Sequence, residues 1–221
     1  MPNKLNNLTT KQTESLDENG LYTLYFRDVW DAQNEEFVPN IKDEATNNAN
    51  GNQTLYIGYL WDTEAQAYIP NVKQERVWSE SGYMTLYLFY VWDAETQAFI
   101  PNNKEEYAFD ENGNQTLNWY STWDEEAQAL ITNYKYEYAY DENGNQTLNM
   151  NSVWDAETQA LITNNKSEYA FDDNGNLTLF IPYDFDSNTQ TLVARYRDIR
   201  TYNDNPSPIQ NLIQWKIEKY Y

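Results

Sequence analysis

The chain has 221 residues, with 35 Asp and Glu against 14 Lys and Arg, a formal charge of −21, and neither His nor Cys. That charge argues against a nucleic-acid surface, which needs basic side chains for phosphates. The missing His and Cys remove the usual nucleophile–base pairs and zinc sites. Twenty Tyr, eight Trp and eight Phe, by contrast, supply the apolar area and strand preference of a folded β protein rather than a disordered acidic chain.

In chain order, "MPNKLNNLTT" lacks the apolar stretch of a signal peptide. That leaves a cytoplasmic protein or one whose leader lies outside this sequence. No apolar run reaches the length of a membrane span. From "KQTESLDENG" onward the text recurs. Gly20, Gly51, Gly82, Gly113, Gly144 and Gly175 stand 31 residues apart. So do Trp30, Trp61, Trp92, Trp123 and Trp154, with Phe185 in the sixth place, and Lys42, Lys73, Lys104, Lys135 and Lys166, with Arg197 following. A fixed period of this size marks a repeat array. Residues 1–221 read as one repeat domain of about six units, with partial capping units at 1–19 and 197–221; in the latter Pro206 replaces the glycine.

Each unit carries two turn signals. "DENGN" (Asp141 to Asn145) places Asn-Gly after an aromatic alternation, and "WDAETQAL" (Trp154 to Leu161) is a polar break. After the glycine, Leu55, Ile57, Tyr59 and Trp61 fall on one face and Thr54, Tyr56, Gly58 and Leu60 on the other. In the next strand type, Phe99, Pro101, Asn103, Glu105, Tyr107 and Phe109 share a face, opposite Ile100, Asn102, Lys104, Glu106 and Ala108. A three-residue turn pairing Asp110 with Asn114 sets Tyr107 against Leu117 and Phe109 against Gln115. A four-residue turn pairing Asp93 with Ala98 sets Trp92 against Phe99 and Val91 against Ile100. Neither needs a bulge, and the large apolar residues then gather on one face.

The expected fold is all-β: tandem 31-residue hairpins in an antiparallel meander. With no helix to cover its apolar face, the meander is expected to close into a barrel or coil into a superhelix. The proline of "IPN" at Ile69 and Ile100 raises an alternative. If the chain turns there, each unit has three short strands and suits a β-solenoid or propeller.

"YAYDENGNQTL" (Tyr138 to Leu148) and "FDDNGNLTL" (Phe171 to Leu179) resemble the YD or RHS-type repeats of bacterial surface and toxin proteins. The longer pattern, with "WD…TQAL" between such turns, is similar to uncharacterised repeats of secreted Bacteroidetes proteins. The resemblance implies a β-hairpin array with a surface, adhesive or enclosing role, extracellular or at the cell surface, and no catalytic residue.

The site candidates come from the same repeats. Asp110, Asn112 and Asn114, with Asp141, Asn143 and Asn145, cluster oxygens of the kind Ca²⁺ takes, although turn chemistry explains the same residues. No cofactor is expected. The Trp column is either a sugar-stacking ladder or core, and its regular place on the apolar face favours core. Tyr56 and Tyr87, on the opposite face where Asn118 and Asn149 stand in later units, and Tyr59 and Tyr90 are the ligand candidates. Lys104 and Glu106 suggest weak charge ladders between strands. Three functions compete. A non-catalytic module binding a glycan or protein leads. A structural self-assembling or spacer scaffold, natural or consensus-designed, comes second. An enzyme comes last. Self-association fits either of the first two.

Overall fold

Each unit becomes two long strands because its two turns make different demands on the backbone. At the Asn-Gly turn the Gly144 N–H bonds the Asp141 carbonyl at 3.0 Å and the Asp141 N–H bonds the Asn145 carbonyl at 2.9 Å. The glycine there takes φ 82°, a conformation that costs a Cβ-bearing residue free energy. At the other turn the left-handed position is held by Gln66, Gln97, Gln128 and Gln159, with φ between 50° and 53°. Asp62 steadies that turn by accepting the N–H groups of Glu64 and Ala65 at 2.8 and 2.7 Å. Asp62 pairs with Ala67 and Asp155 with Ala160, the four-residue connection the sequence suggests.

The computed structural model describes residues 10–202 and 214–218. The outer parts of both expected capping segments, Pro206 among them, lie outside the described residues. The strands are β1 (Thr10–Leu16), β2 (Tyr22–Asp31), β3 (Glu36–Asn47), β4 (Gln53–Asp62), β5 (Ala67–Trp78), β6 (Met84–Asp93), β7 (Ala98–Phe109) and β8 (Gln115–Asp124). They continue as β9 (Ala129–Tyr140), β10 (Gln146–Asp155), β11 (Ala160–Phe171), β12 (Leu177–Asp186), β13 (Thr191–Ala194), β14 (Arg197–Thr201) and β15 (Gln214–Glu218). No helix occurs among the described residues.

Two compact units result, Met1–Lys104 with Trp123–Leu130 and Glu105–Thr122 with Ile131–Tyr221. In the first, β1 to β6 pair in chain order, all antiparallel. In the second, β9 to β12 do the same, and β12 then pairs with both β13 and β14, the latter carrying β15. Strand neighbours follow the chain, and β1 and β15 end the order without pairing with each other. The expected closure into a barrel is therefore absent, and nothing in the strand order supports the expected superhelix: the fold is an open antiparallel meander.

Two bulges per repeat explain why. In the hairpins after each glycine, Thr23, Thr54, Thr85, Thr147 and Thr178 are extra residues, skipped by the register. The hydroxyls of Thr23, Thr54, Thr85 and Thr178 bond the carbonyls of Ser15, Thr46, Val77 and Ala170 at 3.1 to 3.3 Å. In the hairpins after each tryptophan, Asn40, Asn71 and Asn164 are skipped. The expectation of a bulge-free register is corrected at both ends: Tyr138 faces Asn149, where Leu148 was expected by analogy with Tyr107 and Leu117.

Each bulge reverses the alternation. In β5, Tyr68 and Pro70 share a face with Lys73 and Glu75, since these four oppose Trp61, Tyr59, Ile57 and Leu55. The expected grouping of Phe99 and Pro101 with Glu105 and Tyr107 fails on the same ground, because Asn102 of β7 stands where Asn71 stands in β5. The proline is accommodated beside a bulge, and the strand runs on through "IPN". That removes the three-stranded unit, and with it the solenoid and propeller.

Apolar and charged side chains consequently mix on both faces, and neither needs covering. Ala45, at 8% exposure, is the one buried hydrophobic residue among those described, and no side chain is fully enclosed. Stability rests on cross-strand pairs, worth about 0.2–1 kcal/mol each. The Trp column is part of this. Trp30 is 43% exposed, while Trp61, Trp92, Trp123 and Trp154 are partly buried without the full enclosure of a core. Trp61 meets Tyr68 edge-on at 5.0 Å and Trp92 meets Phe99 at 5.1 Å, across the hairpin and not on the next unit's tryptophan.

Candidate functional site

Residues two apart on a strand point the same way, so each Lys meets the Glu beyond it. Lys42 lies 2.6 Å from Glu44, Lys73 3.0 Å from Glu75, Lys135 2.8 Å from Glu137 and Lys166 2.6 Å from Glu168. These pairs run within a strand; the expected ladder between strands takes a different form. Its cross-strand partners are tyrosines. Tyr59, Tyr90 and Tyr183 donate their hydroxyls to Glu44, Glu75 and Glu168 at 2.8, 3.0 and 2.6 Å. The Lys42 and Lys73 ammonium groups sit 4.4 and 3.9 Å from the Tyr59 and Tyr90 ring centres, within cation–π range. Burial, then the bonded carboxylate, pushes Tyr59 and Tyr90 up to about 12. Lys42 first, then the Tyr59 bond against some desolvation, holds the Glu44 carboxyl below its usual range. Two of the four candidate tyrosines are thus committed to internal clusters.

The other two lie on the opposite face. Tyr56 donates its hydroxyl to Asp43 at 2.9 Å and leans over Gly58, where an added Cβ would come within 2.9 Å of that oxygen. Burial and then Asp43 raise its pKa strongly. Tyr87 opposes Arg76, whose guanidinium lies 5.4 Å from the ring centre. The four candidates therefore divide between two faces and do not converge on one site.

The Asn-Gly loops use their oxygens as turn groups. Asp110 Oδ1 accepts the N–H of Asn112 at 2.9 Å and of Asn114 at 2.8 Å, and Oδ2 accepts the Asn114 amide at 3.0 Å. Asp141 repeats this with Asn143 and Asn145 at 3.0, 2.8 and 3.0 Å. The amide bond from Asn114, opposed by slight desolvation and joined by the backbone bonds, lowers the Asp110 pKa; Asn145 does the same for Asp141. Among the described residues no three His, Cys, Asp or Glu side chains group together as a metal site would require.

Two features escaped the sequence reading. The first is a 360 Å³ cleft in the first unit, lined by Trp92, Trp123, Ile100, Pro101, Asp93 and Glu125 among others. Its signal was the bulge asparagine after Pro101. The second is a row of tyrosines in the second unit. Tyr134, Tyr136 and Tyr138 occupy alternate positions of β9, opposite Val153, Asn151 and Asn149 of β10. Tyr134 and Tyr136 rings lie 5.5 Å apart, Tyr136 and Tyr138 6.2 Å apart and nearly parallel, and Tyr120 stacks on Tyr134 at 5.1 Å. All are partly exposed. Asn118, two residues before Tyr120 on β8, has a buried side-chain oxygen without a hydrogen-bond partner. The signal was the string "NYKYEYAY", which departs from "NNKEEYAF" and "NNKSEYAF" at Tyr134 and Tyr136.

No family model matches this sequence, and no curated protein matches it. Among solved structures, the chain is similar to a protein of unknown function from Bacteroides fragilis, with 19% identity over 58% of this chain and 91% of the other, at a TM-score of 0.38. It is similar to a DUF3836 family protein from Bacteroides vulgatus, with 13% identity over 42% of this chain and 90% of that one, TM-score 0.36. It is also similar to part of the Photorhabdus luminescens Tc holotoxin pore, with 14% identity over 93% of this chain and 12% of that one, TM-score 0.33. No helix among the described residues is long and apolar enough to cross a membrane.

Proposed function

We propose that this chain is a non-catalytic β-hairpin repeat module that presents aromatic side chains to a glycan outside the cell. One observation carries the reading. Partly exposed rings stand on both faces of an open meander, including Trp61, Trp92, Tyr134, Tyr136 and Tyr138, while a polar frame fixes the backbone beneath them. Rigid rings with apolar faces and hydroxyl edges suit stacking on sugars. The acidic groups speak for scaffold rather than catalysis. Glu44, Glu75 and Glu168 are each bound by a lysine and a tyrosine, and the turn aspartates by backbone N–H groups.

The second reading, a structural spacer or self-assembling scaffold, is favoured by the recurrence of the Lys–Glu–Tyr clusters, which serve the fold alone. A glycan array probed with the labelled full chain separates the two. Retention on a defined set of glycans supports the binding module; retention on none supports the scaffold.

A further inference from the structure

We infer that the face of β8 to β10 bearing Tyr120, Tyr134, Tyr136 and Tyr138 is the glycan-binding surface, and that its ligand is an uncharged, linear oligosaccharide lying along β9. The inference rests on the glycan-binding reading above and gives it a place and a ligand class.

The repeat acts as its own control. Positions alike in every unit serve the fold, so a unit that departs on one face alone marks that face as different. β9 keeps Lys135 and Glu137, matching Lys73 and Glu75 of β5 and Lys166 and Glu168 of β11. At the alternate positions it carries Tyr134 and Tyr136, where β5 has Val72 and Gln74 and β11 has Asn165 and Ser167. The change is confined to one side of one strand.

The charges bordering that side are carboxylates: Glu105 of β7 adds to burial in raising the Tyr134 pKa, and Asp184 of β12 opposes Asn165. Around the tyrosines stand Asn118 and Thr122 on β8, Asn149, Asn151 and Val153 on β10, and Asn165 and Ser167 on β11. In the first unit the corresponding face carries Asp43 and Arg76. A ring-bearing area bordered by carboxylates, on a chain of charge −21, repels an anionic ligand and leaves an uncharged sugar free to approach. The phenol hydroxyls are available as well: those of Tyr59 and Tyr90 are held by Glu44 and Glu75, while no hydrogen bond within the described residues holds those of Tyr134, Tyr136 or Tyr138. The carboxamides of Asn149 and Asn151 stand opposite Tyr138 and Tyr136. Three rings in file along a single strand fit a linear chain.

The other repeats supply variants already suited to this backbone. Tyr134→Val and Tyr136→Gln install the β5 residues. Calorimetric titration of the full chain with cellohexaose, laminarihexaose, xylohexaose and mannohexaose is the test, run on the wild type, this double variant and Trp92→Ala, with circular dichroism confirming strand content. Binding of at least one hexasaccharide, weakened tenfold or more in the double variant, is expected. Undiminished binding in the double variant, with loss in Trp92→Ala, would move the ligand to the first unit's cleft; that sinks this inference and leaves the glycan-binding reading standing. No binding of any hexasaccharide by the wild type overturns the inference, and the glycan array then decides the wider reading separately.

Discussion

Thr54 donates its hydroxyl to the backbone carbonyl of Thr46 across the β3–β4 hairpin, at 3.1 Å, from the one residue that the register skips. The bond ties down a residue that would otherwise leave the ladder slack. Thr54→Val keeps the shape and removes the donor. It is expected to cost about 1 kcal/mol, the usual net value of one such bond. Urea unfolding with an unchanged slope and a lowered midpoint would show it; an unchanged midpoint would show that the bulge holds itself.

Gly58 has no room for a methyl group. A Cβ there would lie 2.9 Å from the Tyr56 hydroxyl oxygen and 3.3 Å from Val72. Gly58→Ala is expected to cost about 1–3 kcal/mol, the range for overpacking. Because the nearest atom ends a movable side chain, Tyr56→Leu should relieve part of this. The double variant is therefore expected to be more stable than the two single effects added together, and simple additivity would refute the contact.

The two turns respond oppositely to glycine. A Cβ on Gly144 meets nothing within 4 Å, so Gly144→Ala tests the backbone alone, at φ 82°. The expected loss is about 1–2 kcal/mol. Gln159, at φ 52°, already sits in the left-handed region with a side chain. Gln159→Gly is expected to leave thermal stability equal or slightly higher, and Gln159→Val to lower it by about 1 kcal/mol or more. A fall with Gln159→Gly would mean the glutamine side chain matters more than its backbone.

Alkaline pH reads the Lys–Glu–Tyr clusters. Tyr59 and Tyr90 are raised from the ordinary 10 to about 12. A folded value above the unfolded one means their contribution is complete below pH 10 and disappears as pH climbs through 12. Absorbance at the tyrosinate band should show a late fraction of the tyrosines, reduced in Tyr59→Phe, and unfolding midpoints should drop over the same window. A single titration step near 10 would contradict this.

Calcium should do little. The Asp110 and Asp141 oxygens already accept N–H groups from Asn112, Asn114, Asn143 and Asn145. At fixed, near-physiological ionic strength, millimolar Ca²⁺ is expected to shift the melting point by far less than a dedicated site, which at a hundredfold excess over Kd would add about 2.7 kcal/mol. A rise of many degrees over an EDTA control would reinstate these loops as metal sites.

Much of this fold is legible in the sequence, and the part that is not has one cause. The period, both turns and the pairing of Asp62 with Ala67 follow from Asn-Gly and from "WD…Q". The faces do not, because a bulge is invisible to a period-two alternation: Asn71 and Thr54 each shift every later side chain by one place. One apolar face was expected, and barrel closure followed from that expectation. With Lys73 on the same side as Tyr68 and Tyr59, no such face exists and nothing drives closure. The candidate site suffered likewise. Tyr56 and Tyr59 stood out as single residues, whereas the tyrosine row of β9 shows only when one repeat is compared with its copies at the same register.

The hairpin order has a kinetic consequence. Within each unit the strands from β1 to β6 and from β9 to β11 pair only with their neighbours in the chain, across turns of a few residues. Each step closes a short loop, and none awaits a distant segment. Such a chain has low contact order for an all-β protein, so it should assemble as a zipper from any of its turns and fold faster than sandwiches or barrels of equal size. Emerging from a ribosome or a secretion pore one repeat at a time, it could order each hairpin on the last without exposing a long unpaired stretch.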